Sequence, residues 1–181
     1  NADAVEVLVG ALLDLRDRTG RDVRLVQAST AEVVLGESPY ARSKARAEEV
    51  VRAARDERDL HASAARLHIH ESPLRGPEFV SRKITSAVAE IVLGRRSVLT
   101  LGNVDVVRDW GFAGDYVAAL RLMAANDEPV DVPVGTGVRH TLRDLVDAAF
   151  AAGGIEDPAS HLEQDPALMR PADIPELVAD P

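Results

Sequence analysis

Apolar residues recur at spacings of three and four from the start of the chain, at Val5, Leu8, Val9 and Leu12. That period predicts a helix, and Gly20 supplies its stop. Val23 to Ala28 is a short apolar run of the kind a buried strand shows, and Ser29 to Ser38 reads as a loop. Ser38-Pro39 offers an N-cap with Pro at the first helical position and predicts a helix to about Arg58. Ala64 to His70 alternates as a strand does, whereas Glu71 to Glu78, with two Pro and a Gly, reads as a loop. Val80, Ile84, Val88 and Ile91 mark a helix over Phe79 to Leu93 that Gly94 ends. Beyond it the pattern predicts a strand at Ser97 to Leu101, a helix at Ala113 to Ala125, and a strand at Val130 to Val134 that Pro133 assigns to a sheet edge. Thr141-Leu142-Arg143-Asp144 has the spacing of a capping box opening a helix to Ala152. The remainder, from Gly153, is Pro-rich and reads as mostly irregular. Alternation of strand and helix favours an α/β layer architecture with a largely parallel sheet.

Composition bounds the function. A chain of 181 residues, 46% hydrophobic and 28% charged, is large enough for one domain or a large piece of one. The absence of Cys excludes a disulfide framework and a thiolate metal site, and a reducing cytoplasm is the expected compartment. No apolar run is long enough to span a bilayer, and the first residues lack the order of a signal peptide, so no membrane partner is expected. A formal charge of −9 argues against nucleic acid, which is bound through basic surface. A small anion remains open, because a few well-placed Arg or Lys suffice for a diphosphate. The chain opens on Asn1 and runs at once into helical periodicity, so the expectation is a chain that begins at a helix rather than before a first strand.

Only two lysines, Lys44 and Lys83, stand against nineteen arginines, and each lies in a short string that reads as a site. A lysine among arginines marks a place for a compact ammonium with movable donors. Tyr40-x-x-x-Lys44 on a helix sets a phenol and an ammonium one turn apart on one face, where the ammonium favours phenolate and brings the phenol toward general-base duty. Alone this string is common. Gln27-Ala28-Ser29-Thr30-Ala31-Glu32 leaves the carboxyl end of a strand, where open α/β sheets place their ligands, although Ser29-x-x-Glu32 also reads as a capping box. His68 and His70 share a strand face without an evident third ligand, and Leu74 replaces the second His of a zincin motif, so no metal is expected. The run Arg55-Asp56-Glu57-Arg58-Asp59 reads as a solvated helix end.

Further strings follow: His70-Glu71-Ser72-Pro73-Leu74-Arg75-Gly76, Phe79-Val80-Ser81-Arg82-Lys83-Ile84-Thr85, Leu101-Gly102-Asn103-Val104-Asp105, Arg108-Asp109-Trp110-Gly111 and Arg170-Pro171-Ala172-Asp173. In order and spacing, together with Thr30, Glu32, Tyr40 and Lys44, they closely resemble the GDP-mannose 4,6-dehydratases, members of the extended short-chain dehydrogenase/reductase family.

The resemblance implies a Rossmann-like parallel sheet with a small α/β substrate-binding region. Residues 1–70 would form the second half of the Rossmann-type domain, and residues 71–181 mainly the nucleotide-sugar-binding region, interleaved with the sheet. It implies transient oxidation of the sugar at C4 by NADP, loss of water across C5 and C6, and return of the hydride to C6. Tyr40 would act on the C4 hydroxyl proton, Glu32 on the C5 proton, and Thr30 would polarise O4. Lys44 would hold the nicotinamide ribose, His70 and Arg75 would contact the cofactor, and Lys83, Arg108 and Arg170 would face the GDP moiety. The expected partners are a nucleotide sugar, GDP-mannose first, and further copies of the same chain.

The departures from the family pattern are specific. No G-x-x-G-x-x-G turn follows a strand, so the residues present form half of a cofactor site. The loop before Tyr40 is short, with Gly36-Glu37-Ser38 joining almost directly. Ile69 stands where the family has Asn, and Phe112 where it usually has His. Two other functions compete: an epimerase or reductase of another nucleotide sugar, which the Glu32 position opposes, and a non-catalytic sugar-nucleotide-binding protein, which the missing Gly-rich turn favours.

Overall fold

The computed structural model describes residues 2–35, 38–169 and 174–180. The chain forms helices α1 (Ala2–Thr19), α2 (Pro39–Arg58), α3 (Val80–Val92), α4 (Ala113–Ala125) and α5 (Leu142–Ala152). The strands are β1 (Arg24–Thr30), β2 (His61–Leu67), β3 (Ile69–Glu71), β4 (Leu99–Leu101), β5 (Val107–Arg108), β6 (Trp110–Phe112), β7 (Val132–Val134), β8 (His140–Thr141), β9 (Leu162–Gln164) and β10 (Glu176–Leu177). Two compact units result, one from Asn1–His70, Gly111–Thr136 and Ala179–Pro181, the other from Glu71–Trp110 and Gly137–Val178.

The first unit is built on a parallel sheet in the order β1-β2-β7, with Thr30 opposite Leu67 and Leu67 opposite Val134. Pro133 sits on the edge strand, where its missing N–H costs no ladder bond. The central strand β2 is buried without interruption from Ala62 to Ala65, because α2 and α4 both lie against β1 and β2. Burial on both faces replaces the alternation expected of Ala64 to His70, and the strand starts earlier, at His61. Small side chains let α2 approach closely: Ala47, Val51 and Ala54 pack with Leu60, Ala62 and the α1 stripe Val5, Val9 and Leu13. That stripe is narrower than the predicted face, since Leu8 is exposed.

Local signals govern the ends of these elements. Gly20 ends α1 with φ +64°, and the Ser38 hydroxyl accepts a hydrogen bond from the Ala41 N–H at 2.9 Å with Pro39 at the first helical position. The expected loop from Ser29 is corrected: β1 continues to Thr30, and residues Ala31–Val34 form a 3-10 turn. The charged run ending α2 is solvated from Asp56 to Asp59, as expected, and Arg55 alone turns inward. Arg55 forks onto Asp131 at 2.9 and 3.0 Å and donates to the Ala62 carbonyl at 3.1 Å, while Asp131 Oδ1 accepts from the Ala64 N–H at 2.7 Å. Gly36 and Glu37, the short junction before α2, lie outside the described residues.

The second unit has its own core, in which Ile84, Ala87, Val88 and Ile91 of α3 meet Leu99, Leu101, Val104 and Val106 and, from α5, Leu142, Val146 and Phe150. Burying each large apolar side chain stabilises by about 1.5–3 kcal/mol, which is what this three-sided packing supplies. Gly94 follows α3 with φ +67°. The capping box of α5 is complete: Thr141 Oγ1 accepts from the Asp144 N–H at 3.0 Å, and Asp144 Oδ2 from the Thr141 N–H at 2.7 Å. Two short ladders complete the unit, β4 parallel to β9 and the order β10-β5-β8. They bring pairing into the segment after Gly153, expected to be irregular, and add β5 and β8 to the predicted elements.

Candidate functional site

Thr30 and Glu32 stand at the carboxyl end of β1, and Lys44 of α2 reaches the same strand at Ala28. Thr30 is the last residue of that strand and caps the 3-10 turn, its Oγ1 accepting from the Glu32 N–H at 3.3 Å. This bond settles the competing Ser29 capping reading: Thr30 is the cap, and the buried Ser29 hydroxyl instead donates to Glu48 Oε1 at 2.6 Å. Thr30 is 8% exposed and Glu32 half-buried. Because Thr30 only accepts in this bond, its own O–H remains available to an oxygen acceptor.

Tyr40 and Lys44 lie one turn apart on α2. Lys44 Nζ is 5.9 Å from the centre of the Tyr40 ring and donates to the Ala28 carbonyl of β1 at 2.8 Å. Burial lowers the Lys44 ammonium from its ordinary value. With one donor committed to Ala28, an ammonium has two left to offer a ligand. The Tyr40 ring is 46% exposed, so its phenol is open to approach.

His70, in the middle of β3, is oriented by its own chain. Its Nδ1 is 2.9 Å from the His68 carbonyl oxygen, which only accepts, so Nδ1 is the donor in this bond. Its ring lies 4.8 Å from that of the buried Tyr116 at an interplanar angle of 31°. Tyr116 explains Gly111 of the Asp109-Trp110-Gly111 string, since a Cβ at Gly111 would run into the Tyr116 ring. The place of Tyr116 behind His70 is a tertiary fact that no spacing in the sequence signals.

The other predicted residues belong to the second unit. Arg75 is engaged within it, Nε lying 3.2 Å from Glu71 Oε2 and the guanidinium 3.5 Å from the Phe79 ring centre. Lys83 is half-buried on the first turns of α3, and Arg108 on β5 donates to the Val107 carbonyl at 2.8 Å. Asp109 beside it is fully buried and accepts from the Gly137 N–H at 2.9 Å. Arg170 lies outside the described residues. Among the described residues no group of three or more His, Asp or Glu could hold a metal ion, and no helix is long and apolar enough to cross a membrane.

A parallel sheet covered by helices on both faces, with Tyr and Lys one turn apart beside its carboxyl edge, is the architecture of a Rossmann-type extended short-chain dehydrogenase/reductase. Solved structures agree: a dTDP-glucose 4,6-dehydratase from Bacillus anthracis in complex with NAD superposes with TM-score 0.80 at 21% identity, covering 99% of this chain and 59% of that one. RMD from Pseudomonas aeruginosa, complexed with NADPH, gives TM-score 0.78 at 21% identity over 95% of this chain and 61% of that one.

Residues 7–181 match the family described as GDP-mannose 4,6 dehydratase, and the chain belongs to it. GDP-mannose 4,6 dehydratase 1 of Arabidopsis thaliana is 41% identical over 143 residues, 79% of this chain and 39% of that protein. GDP-mannose 4,6-dehydratase of Sinorhizobium fredii is 37% identical over 214 residues, 99% of this chain and 60% of that protein. The chain spans about half the length of the curated relatives it matches.

Proposed function

We propose that this chain carries the catalytic residues of an NADP-dependent GDP-mannose 4,6-dehydratase. The observation that carries the reading is Lys44, one turn from an exposed Tyr40 and hydrogen-bonded to β1 at Ala28, two residues before Thr30 and four before Glu32.

The donors present fit a nicotinamide nucleotide at its nicotinamide-ribose end: Lys44 has two uncommitted N–H groups for ribose hydroxyls, and the exposed Tyr40 phenol stands on the same helical face. Such a cofactor, when bound, supplies the two-electron oxidation of C4 and later the reduction at C6. The remaining steps fall to side chains. Tyr40 takes the proton of the C4 hydroxyl as C4 becomes a ketone, and the Thr30 O–H donates to O4, where charge develops. Glu32 removes the C5 proton that the ketone has acidified and, now protonated, gives a proton to the C6 hydroxyl, which departs as water. His70, whose Nδ1 is committed to the His68 carbonyl, has Nε2 left for the cofactor. Lys83, Arg108 and Arg170 are assigned to the GDP moiety, where guanidinium groups fork onto phosphate oxygens. Arg75, assigned to the cofactor, would have to leave Glu71 or use a remaining N–H group to do so.

The test is incubation of the full-length protein with GDP-mannose and NADP, with NAD and other nucleotide hexoses in parallel. Formation of a 4-keto-6-deoxy sugar nucleotide supports the proposal. Epimerisation or net reduction without water loss would replace it with the epimerase or reductase reading.

A further inference from the structure

The α2 face that bears Tyr40 and Lys44 continues at Glu48, another four residues on. Glu48 is 5% exposed, and none of the chemistry above uses it. It is the buried hub of a polar cluster: Oε1 accepts from the Ser29 hydroxyl at 2.6 Å, and the half-buried Arg66 forks onto the carboxylate, with Nε 3.2 Å from Oε1 and 3.1 Å from Oε2 and Nη2 2.8 Å from Oε2. Ser29 and Arg66 are register partners on β1 and β2, so both side chains rise on the sheet face that carries α2.

Two consecutive turns of α2 are thereby bonded to two consecutive residues of β1, Lys44 to Ala28 and Glu48 to Ser29. A single bond lets a helix slide or roll about it; two bonds one turn apart fix both its axial position and its rotation. Thr30 is the next residue along β1, and Glu32 leaves from there. A buried carboxylate is expensive unless paired, and the Arg66 fork supplies the pairing, which is a costly way to hold a helix already packed through Ala47 and Val51.

We propose that Glu48, charge-balanced by Arg66, is a positioning residue that sets the register of α2 on β1 and so places Tyr40 and Lys44 relative to Thr30 and Glu32. The consequence for turnover rests on the dehydratase reading; the consequence for Lys44 does not.

The test uses full-length protein and three variants: Ser29→Ala, which removes one bond without a charge change; the charge-neutral double variant Glu48→Gln/Arg66→Met; and Ser29→Thr, which keeps the hydroxyl. Trace acetylation by acetic anhydride, read by peptide mass spectrometry, gives the reactivity of Lys44 against Lys83 as internal reference, beside kcat and KM. Release of Lys44 raises the Lys44-to-Lys83 ratio about threefold or more in the first two variants. Misplacement lowers kcat about tenfold with little change in KM, and Ser29→Thr restores both. General destabilisation would raise both lysines together. An unchanged ratio in a folded Ser29→Ala protein, or in the double variant should Ser29→Ala not fold, overturns the proposal whatever the activity. Absence of dehydration in the wild type, with the ratio still rising, would sink the dehydratase reading and leave the positioning role standing.

Discussion

Lys44 Nζ and the Ala28 carbonyl oxygen lie 2.8 Å apart, tying the second turn of α2 to the last residues of β1 before the chain leaves the sheet. The helix that supplies the phenol and ammonium and the strand that leads to Thr30 and Glu32 are thus one mechanical piece.

That placement has a stability cost that pH exposes. Burial depresses the Lys44 ammonium below the ordinary 10.5, so over the interval between its folded value and 10.5 the unfolded chain binds the proton the folded chain has shed. The cost is fully present below the folded value and relieved as pH rises through it. Unliganded Lys44→Met is therefore expected to melt at or above the wild type at pH 7, the difference narrowing as pH approaches 10.5. Melts across that series check it, and a clear drop at neutral pH would count against it.

Asp131 runs the other way. Burial favours its neutral acid, but the Arg55 hydrogen bonds, the Ala64 N–H and the Arg55 and Arg52 charges outweigh burial, and its carboxyl sits below the ordinary carboxylate value. Stability from this pair is present above the ordinary value and lost as pH falls through the lowered one. Asp131→Asn should destabilise by about 1–3 kcal/mol at neutral pH, since Arg55 is left half-paired. Denaturant unfolding at neutral and acid pH measures this, and the gap between variant and wild type should close in acid.

Gly111→Ala should be costly for a residue so small. The new methyl meets the Tyr116 ring, which lies against His70, and overpacking of this kind costs about 1–3 kcal/mol. Thermal unfolding tests the first effect, and weaker cofactor binding through a displaced His70 would be the second. A variant as stable as the wild type would show that Tyr116 moves aside freely.

Sequence and structure agree where local chemistry decides. Gly20 and Gly94 stop helices with positive φ, Ser38-Pro39 opens α2, Thr141 and Asp144 form their box, and Pro133 lies on an edge. They part where a distant partner decides. Ser29 and Thr30 are interchangeable as caps by spacing, and Glu48, nineteen residues on, takes the Ser29 hydroxyl. Arg55 reads as solvated because Asp131 is 76 residues away. The opening of β2, His61-Ala62-Ser63, lacks β-branched residues and alternation because both its faces are covered. The family, by contrast, is legible in the order and spacing of its strings, and residues 7–181 match it.

Dehydration through Glu32 is tested most directly by following GDP-mannose in deuterated buffer with full-length Glu32→Gln protein and NADP. The amide keeps the shape but cannot take a proton. Water loss and deuterium incorporation at C5 are expected nearly to vanish while NADP and sugar nucleotide still bind, whereas Tyr40→Phe should stop the earlier oxidation so that no bound NADPH accumulates. Undiminished dehydration by Glu32→Gln would contradict this role for Glu32.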